Sequence, residues 1–180
     1  DVVLSVLECD RAWLIYPCDP SAPAWHAPME RTRPEYPGAH AAGVEVPQDA
    51  GAAEIFRLAL EAPGPLTFGP GLDHPLAFET VELFGIRSQI CMAIHPKGDN
   101  PYLFGIHQCS HARVWSPDDL QLFREIGRRL TDALTSLLAV RRLRESEARY
   151  RGFMDNATDA FFLLDERGVV RDVNRQACES

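Results

Sequence analysis

The sequence predicts an α+β fold, an antiparallel sheet with helices packed on it, and three observations lead there. Residues 87–94 and 102–109 are apolar runs of strand length, joined by the hairpin loop Pro96-Lys97-Gly98-Asp99-Asn100. Residues 115–151 read as one long helix, with no proline after Pro117 and no glycine after Gly127 to interrupt it. Along the whole chain the order is helix, strands, helices, strands, helix.

Each element follows from its residues. Residues 2–7 look like the end of an apolar helix, and residues 12–16 form a short strand of large apolar side chains. From residue 17 to 48 the chain is rich in proline and alanine, with one strand near residues 25–32. Pro34 and Pro37 then forbid regular structure. A long irregular stretch of this kind is commonly functional. Residues 49–62 read as a helix whose apolar face is Ala53, Phe56, Leu60, Leu58 and Ala59, stopped by Pro63-Gly64. Residues 65–68 are a brief strand, Gly69-Pro70-Gly71 a turn, and residues 76–84 a second short helix ending at Gly85.

The long helix has a clear start. Ser116 is a good N-cap, Pro117 suits the first helical position, and Asp118 and Asp119 oppose the positive end of the dipole. Ser116 with Asp119 also reads as a capping box. The apolar positions Phe123, Ile126, Ala133, Leu130, Leu137 and Val140 recur in steps of three and four, the seam of a paired coil. One small domain cannot cover a helix of this length, so it is expected to pair with a second copy and carry a conformational signal onward. The spacings Glu145–Arg149 and Glu147–Arg151 support a continuous exposed helix. After it, residues 160–164 and 169–173 are short strands around the turn Asp165-Glu166-Arg167-Gly168. A lone hairpin cannot bury a core, so this tail is expected to open a second domain. The expected divisions are residues 1–139, a helical linker at 140–152, and residues 153–180.

Composition narrows the function classes. The 180 residues give room for one domain and part of another, and with a start at Asp1 without methionine the chain is expected to be an excised piece. A net charge of -8 disfavours nucleic acid as a partner. The local basic cluster of Arg124, Arg128, Arg129 and residues 141–151 reads as a solvated helix flank. No apolar run is long enough to span a bilayer and no signal peptide is visible. The cysteines Cys9, Cys18, Cys91, Cys109 and Cys178 are odd in number and contain no CxxC, which points to reduced thiols and a cytoplasmic location. No GxxxxGK[ST] loop or HExxH pair occurs.

Three segments carry a family resemblance. Leu7-Glu8-Cys9-Asp10-Arg11, running on to Tyr16, resembles the first strand of a GAF domain of the phytochrome and cyanobacteriochrome branch. Phe84-Gly85-Ile86-Arg87-Ser88 is similar to the helix-to-strand junction of that branch. His107-Gln108-Cys109-Ser110, with Arg113 and Trp115, is similar to its strand end. In the tail, residues 153–160, Asp165 with Gly168, and Asn174 with Ala177 resemble the opening of a PAS domain. The combination looks like bacterial multi-domain sensor histidine kinases. It implies a GAF-like sheet, a signalling helix and a truncated PAS start.

The resemblance also orders the candidate site. The positions that would attach a bilin hold Leu76 and Ala77, so covalent bilin is disfavoured. His107 matches a histidine lining the chromophore pocket, and Arg87 matches a residue that meets propionate groups. Strand alternation puts His107, Cys109 and His111 on one face, and Gln89, Cys91 and Ala93 on one face of the preceding strand. His107, Cys109 and Cys91 could converge on haem iron or zinc. The preferred reading is a hydrogen-bonded pocket histidine beside thiols acting as small hydrophobes, because H-x-C-x-H on a strand is not a zinc spacing. Trp25, Tyr36, Phe68, Phe78 and Trp115 read as core, with only Tyr36 a candidate lid. The ligand set is therefore His107, Cys109, Cys91, Gln89, Arg87 and Tyr36, for an unidentified small molecule.

The expected role is the sensory region of a bacterial two-component histidine kinase. Its partners would be a second copy, the parent's kinase and receiver domains, and a response regulator. The alternatives are the regulatory region of a cyclic-dinucleotide synthase or phosphodiesterase, and a ligand-free structural GAF spacer.

Overall fold

The computed structural model describes residues 2–43, 45–76 and 80–179. The chain divides into two compact units, Asp1–Thr135 and Ser136–Ser180. In chain order the elements are α1 (Val2–Val6), β1 (Arg11–Tyr16), β2 (Ala24–Thr32), α2 (Ala39–Ala42), β3 (Val46–Pro47), α3 (Ala50–Glu61), β4 (Leu66–Phe68), α4 (Thr80–Leu83), β5 (Ser88–Ile94), β6 (Tyr102–Gln108), α5 (Pro117–Asp155), β7 (Phe162–Leu164), β8 (Val170–Val173) and α6 (Arg175–Glu179). This is the α+β architecture the sequence predicts.

The first unit is built on a six-stranded antiparallel sheet in the order β3-β2-β1-β6-β5-β4. β1 and β6 are central, and they read as near-continuous apolar runs because both sheet faces are covered. Alternation divides the core in two. Trp13, Ile15, Cys91 and Leu103 face one side, where Ile55, Phe56 and Ala59 of α3 cover them. Leu14, Ile90, Phe104 and Ile106 face the other, under Leu7 and the first part of α5.

Local chemistry sets the helix ends. Asp49 caps α3 by accepting from Ala52 N at 2.6 Å. The buried face of α3 is Ala52, Ile55, Phe56 and Ala59, an i, i+3, i+4, i+7 stripe. Ala53 and Leu58, expected on that face, are only half-buried at its edges. Ser116 and Asp119 form the expected reciprocal box, with Asp119 N donating to Ser116 Oγ at 3.1 Å and Ser116 N to Asp119 Oδ2 at 2.9 Å. The expected irregular stretch after Pro34 is shorter than predicted, because the chain regains structure at α2 and β3. Val46 of β3 pairs with Trp25.

α5 departs from the simple seam. Phe123 is fully buried, its ring stacked on Phe104 with centroids 4.5 Å apart. Leu134 is buried, and Ile126 and Leu130 are half-buried against the same core. These four follow steps of three and four, but the stripe faces the chain's own sheet. Phe123, Ile126 and Leu130 therefore serve the fold, and Ala133 is exposed. Leu137 and Val140 are 61% and 48% exposed.

In the second unit, β7 and β8 pair as an antiparallel hairpin with Gly168 in the left-handed region at φ 77°. Asn174, 1% exposed, holds this unit together. Its Oδ1 accepts from Phe161 N and Ala177 N, and its Nδ2 donates to Met154 O and Asp159 O. All four hydrogen-bonding positions of the amide are used. Asn174→Ala is expected to remove roughly 2 kcal/mol of local stability, read as faster hydrogen exchange of the β7 and β8 amides. Unchanged exchange in the hairpin would refute that role.

Candidate ligand pocket

The site lies on the α3 side of the sheet, and a buried arginine organises it. Arg11, at the first position of β1, is 1% exposed. Its Nη2 donates to Tyr36 O, Pro37 O and Phe84 O at 3.0, 2.7 and 3.2 Å. Its Nε lies 3.8 Å from Glu30 Oε1, and its guanidinium sits over the Phe84 ring at 5.5 Å. A buried cation needs this many partners. Arg11 thus pins the proline-rich loop and the end of the α4 segment to the central strand.

The fifth partner of Arg11 is His107. Arg11 Nη1 is 3.1 Å from His107 Nδ1. His107 Nε2 is 2.9 Å from Gln89 Oε1 and 2.9 Å from Trp13 Nε1. Burial, and then the Arg11 charge, hold the imidazole well below its ordinary pKa, so the ring is neutral. Arg11 Nη1 brings a hydrogen to Nδ1 and Trp13 Nε1 brings one to Nε2, while Gln89 Oε1 offers a lone pair beside Nε2.

The remaining space is small and apolar. A cavity of about 40 Å³ is lined by Trp13, Trp25, Phe56, Phe84, Gln89 and His107, among others. A second of about 20 Å³ shares Trp13, Ile15, Trp25, Phe84 and His107 with it and reaches Arg11. Trp13 is the main reason for the tightness. It lies opposite Gly105 in the β1–β6 register, and its indole occupies the space a side chain at 105 would take.

The expected residues fall into two groups. His107 and Gln89 meet at the pocket wall. Cys91 is fully buried beneath them, its thiol pushed up to about 12 by burial. Cys109 donates to Phe84 O at 3.7 Å, and burial raises its pKa as well. Neither thiol has the low pKa of a ligand or nucleophile. Tyr36 reaches the site through its carbonyl instead of acting as a side-chain lid. Arg87 is exposed and lines neither cavity, and Arg11 is the arginine at the site. Trp25, Phe68 and Trp115 are buried core residues. Phe78 and Ala77 lie outside the described residues, while Leu76 packs on the pocket-side core. Arg11, Trp13 and Glu30 were missed. The only signal was the charged pair Asp10-Arg11 set directly against an apolar strand.

Neither metal nor a large chromophore fits this arrangement. Both ring nitrogens of His107 are engaged, so no lone pair is free for iron or zinc. Among the described residues, no three His, Cys, Asp or Glu side chains gather as a metal site. The two cavities are far below the several hundred Å³ of ordinary ligand pockets, and a linear tetrapyrrole cannot enter without repacking Trp13.

The GAF domain family matches residues 1–134. The chain belongs to that family. A PAS domain family matches residues 148–179, so the polypeptide joins a GAF domain to PAS sequence. These two domain types indicate a sensory, signalling role. Solved structures repeat the GAF fold. The blue-light absorbing form of the Thermosynechococcus elongatus PixJ GAF domain is 17% identical, with a TM-score of 0.60 over 79% of this chain and 84% of that one. The photoproduct state of GAF3 from Slr1393 of Synechocystis sp. PCC6803 is 18% identical, with a TM-score of 0.60 over 79% and 92%. The phycocyanobilin-bound GAF domain from a cyanobacterial phytochrome is 16% identical, with a TM-score of 0.56 over 75% and 79%. No curated protein matches the chain. No helix among the described residues is long and apolar enough to cross a membrane.

Proposed function

We propose that this chain is the sensory and relay region of a bacterial two-component histidine kinase, working as a homodimer. The GAF domain biases the pairing of α5, and α5 passes that bias to the PAS domain. The observation that carries the reading is the exposure of Leu137, Val140 and Leu143 at 61%, 48% and 61%. Large apolar side chains at helical spacing on an otherwise charged helix are stabilised by a second helix. Their flanks hold Arg141 and Glu145, paired at 2.8 Å, which suits the border of such a seam. Signal would travel as a change in register or crossing of the two helices.

The kinase and receiver domains of the parent protein, or its response regulator, would read that change in the cytoplasm. A phospho-acceptor histidine helix and ATP-lid glycines in the coding sequence after Ser180 would support a kinase, and other catalytic signatures there would replace it. The pairing is tested on the chain itself. Leu137→Asp with Val140→Asp is expected to turn a dimer into a monomer in analytical ultracentrifugation, with unchanged near-ultraviolet circular dichroism. Leu130→Asp is a poorer test, since Leu130 packs against the GAF core. A double variant that sediments as the parent does would overturn the seam.

A further inference from the structure

We propose that the GAF cavity binds a compact, uncharged hydrogen-bond acceptor, a molecule of a few heavy atoms built around one carbonyl oxygen. One buried indole N–H group at the cavity lacks an acceptor. Trp25 is 6% exposed, lines both lobes, and its Nε1 has no hydrogen-bond partner. Trp13 Nε1 is already committed, donating to His107 Nε2 at 2.9 Å. Indole donates and never accepts, so Trp25 asks for an oxygen that the described residues do not supply.

The same residues exclude the other ligand classes. An anion finds no free cation among the described residues at the cavity. Arg11 is committed to three backbone carbonyls and His107 and is balanced by Glu30, and His107 is neutral. An amine or an alcohol brings hydrogens of its own, and the side-chain acceptors at the wall, Gln89 Oε1 and the Glu30 carboxylate, are taken by His107, Arg11 and His40 N. Water has the same defect, because the rest of the larger lobe is walled by apolar side chains such as Ile15, Ile55, Phe56 and Leu103. The lobes of about 40 and 20 Å³ hold about four water-sized groups, the size of acetone.

The test uses the ¹⁵N-labelled full chain. Its three tryptophans give three indole N–H resonances, assigned by Trp13→Phe, Trp25→Phe and Trp115→Phe. Trp115 is the control, a buried indole N–H also without a partner but packed in the opposite core beneath Arg113. Titrated acetone should move the Trp25 resonance downfield and saturate, leaving Trp115 still. Acetate and propan-2-ol should bind at least tenfold more weakly. Ala52→Leu, which places a larger side chain into the cavity from α3, should abolish saturation while leaving Trp115 in place. Linear drift of all three resonances, tighter binding of acetate or propan-2-ol, or undiminished saturation in Ala52→Leu would each overturn the proposal. The dimer seam is read separately by sedimentation and stands or falls without it.

Discussion

Asp10→Ala is expected to cost the GAF domain about 4 kcal/mol, and Asp10→Asn roughly half of that. Asp10 is fully buried just before β1. Its Oδ2 accepts from Gln108 Nε2, Cys109 N, Ser110 N and Ser110 Oγ at 2.9, 2.8, 2.8 and 2.8 Å. Its Oδ1 lies 3.4 Å from Arg33 Nε. One carboxylate thereby ties the start of β1 to the end of β6, the two strands that present Arg11 and His107 to each other. Alanine would orphan two backbone N–H groups and two side-chain donors. Asparagine keeps one oxygen for the cluster but loses the charge and turns its amide hydrogens toward Arg33.

The pH dependence follows from the same geometry. Burial alone would raise the Asp10 pKa, but the Ser110 and Cys109 hydrogen bonds and Arg33 outweigh it and hold it below the usual carboxylate range. A depressed carboxylate pKa stabilises the fold above the unfolded value, about 3.8, and that contribution is lost as pH falls through the folded value. His107 acts in the same direction at higher pH. Its folded pKa is depressed, so the unfolded chain takes the proton first and stability declines as pH drops below about 6.5. Thermal melts should therefore show two acid limbs. Asp10→Asn should flatten the one below about pH 4 and spare the one starting near 6.5. A variant that melts at the parental temperature, with both limbs intact, would mean the cluster is not a stability determinant.

The fold was legible because it is written in local signals. The Ser116–Asp119 box, the hairpin loop at residues 96–100 and the stripe on α3 each report a backbone preference that neighbouring residues agree with. The boundaries that failed depend on tertiary contacts. Nothing near Ala39 or Val46 announces α2 or β3, which exist because Trp25 and Glu30 of β2 offer them a surface and a carboxylate, with His40 N donating to Glu30 Oε2 at 3.0 Å. The seam on α5 shows the limit of periodicity. Steps of three and four from Phe123 to Val140 describe one stripe, yet its first half meets the chain's own sheet and its second half is exposed. Only the end of the sheet decides where one use gives way to the other. The pocket was half legible for a similar reason. Alternation placed His107 and Gln89 on facing strands, and their register pairs them directly. Arg11 escaped because a charged residue at a strand's first position reads as its boundary, and only the assembled carbonyls of Tyr36, Pro37 and Phe84 make its burial affordable.

Gly105→Ala is expected to have the largest effect inside the pocket itself. Gly105 sits mid-strand in β6, where glycine is ordinarily unfavourable, and it is fully buried. Its register partner is Trp13, and an added Cβ would collide with Cζ2 and Cη2 of that indole. The ring is rigid and packed against Ile15 and Leu103 in the core, so it must tilt as a whole. Overpacking of this kind costs roughly 1–3 kcal/mol. The tilt would also part Trp13 Nε1 from His107. The Trp13 indole resonance and the near-ultraviolet dichroism should both change, while Trp115 stays as it is. A double-mutant cycle separates this from a general dislike of alanine in β6. In a Trp13→Leu background the smaller, flexible side chain vacates the space, so the same alanine should cost little and add the strand propensity that glycine lacks. Equal costs in the two backgrounds would show that Trp13 does not depend on Gly105. The tightness of the cavity would then need another cause, since the glycine is what lets an indole lie flat on the sheet and reach the histidine two residues further along β6.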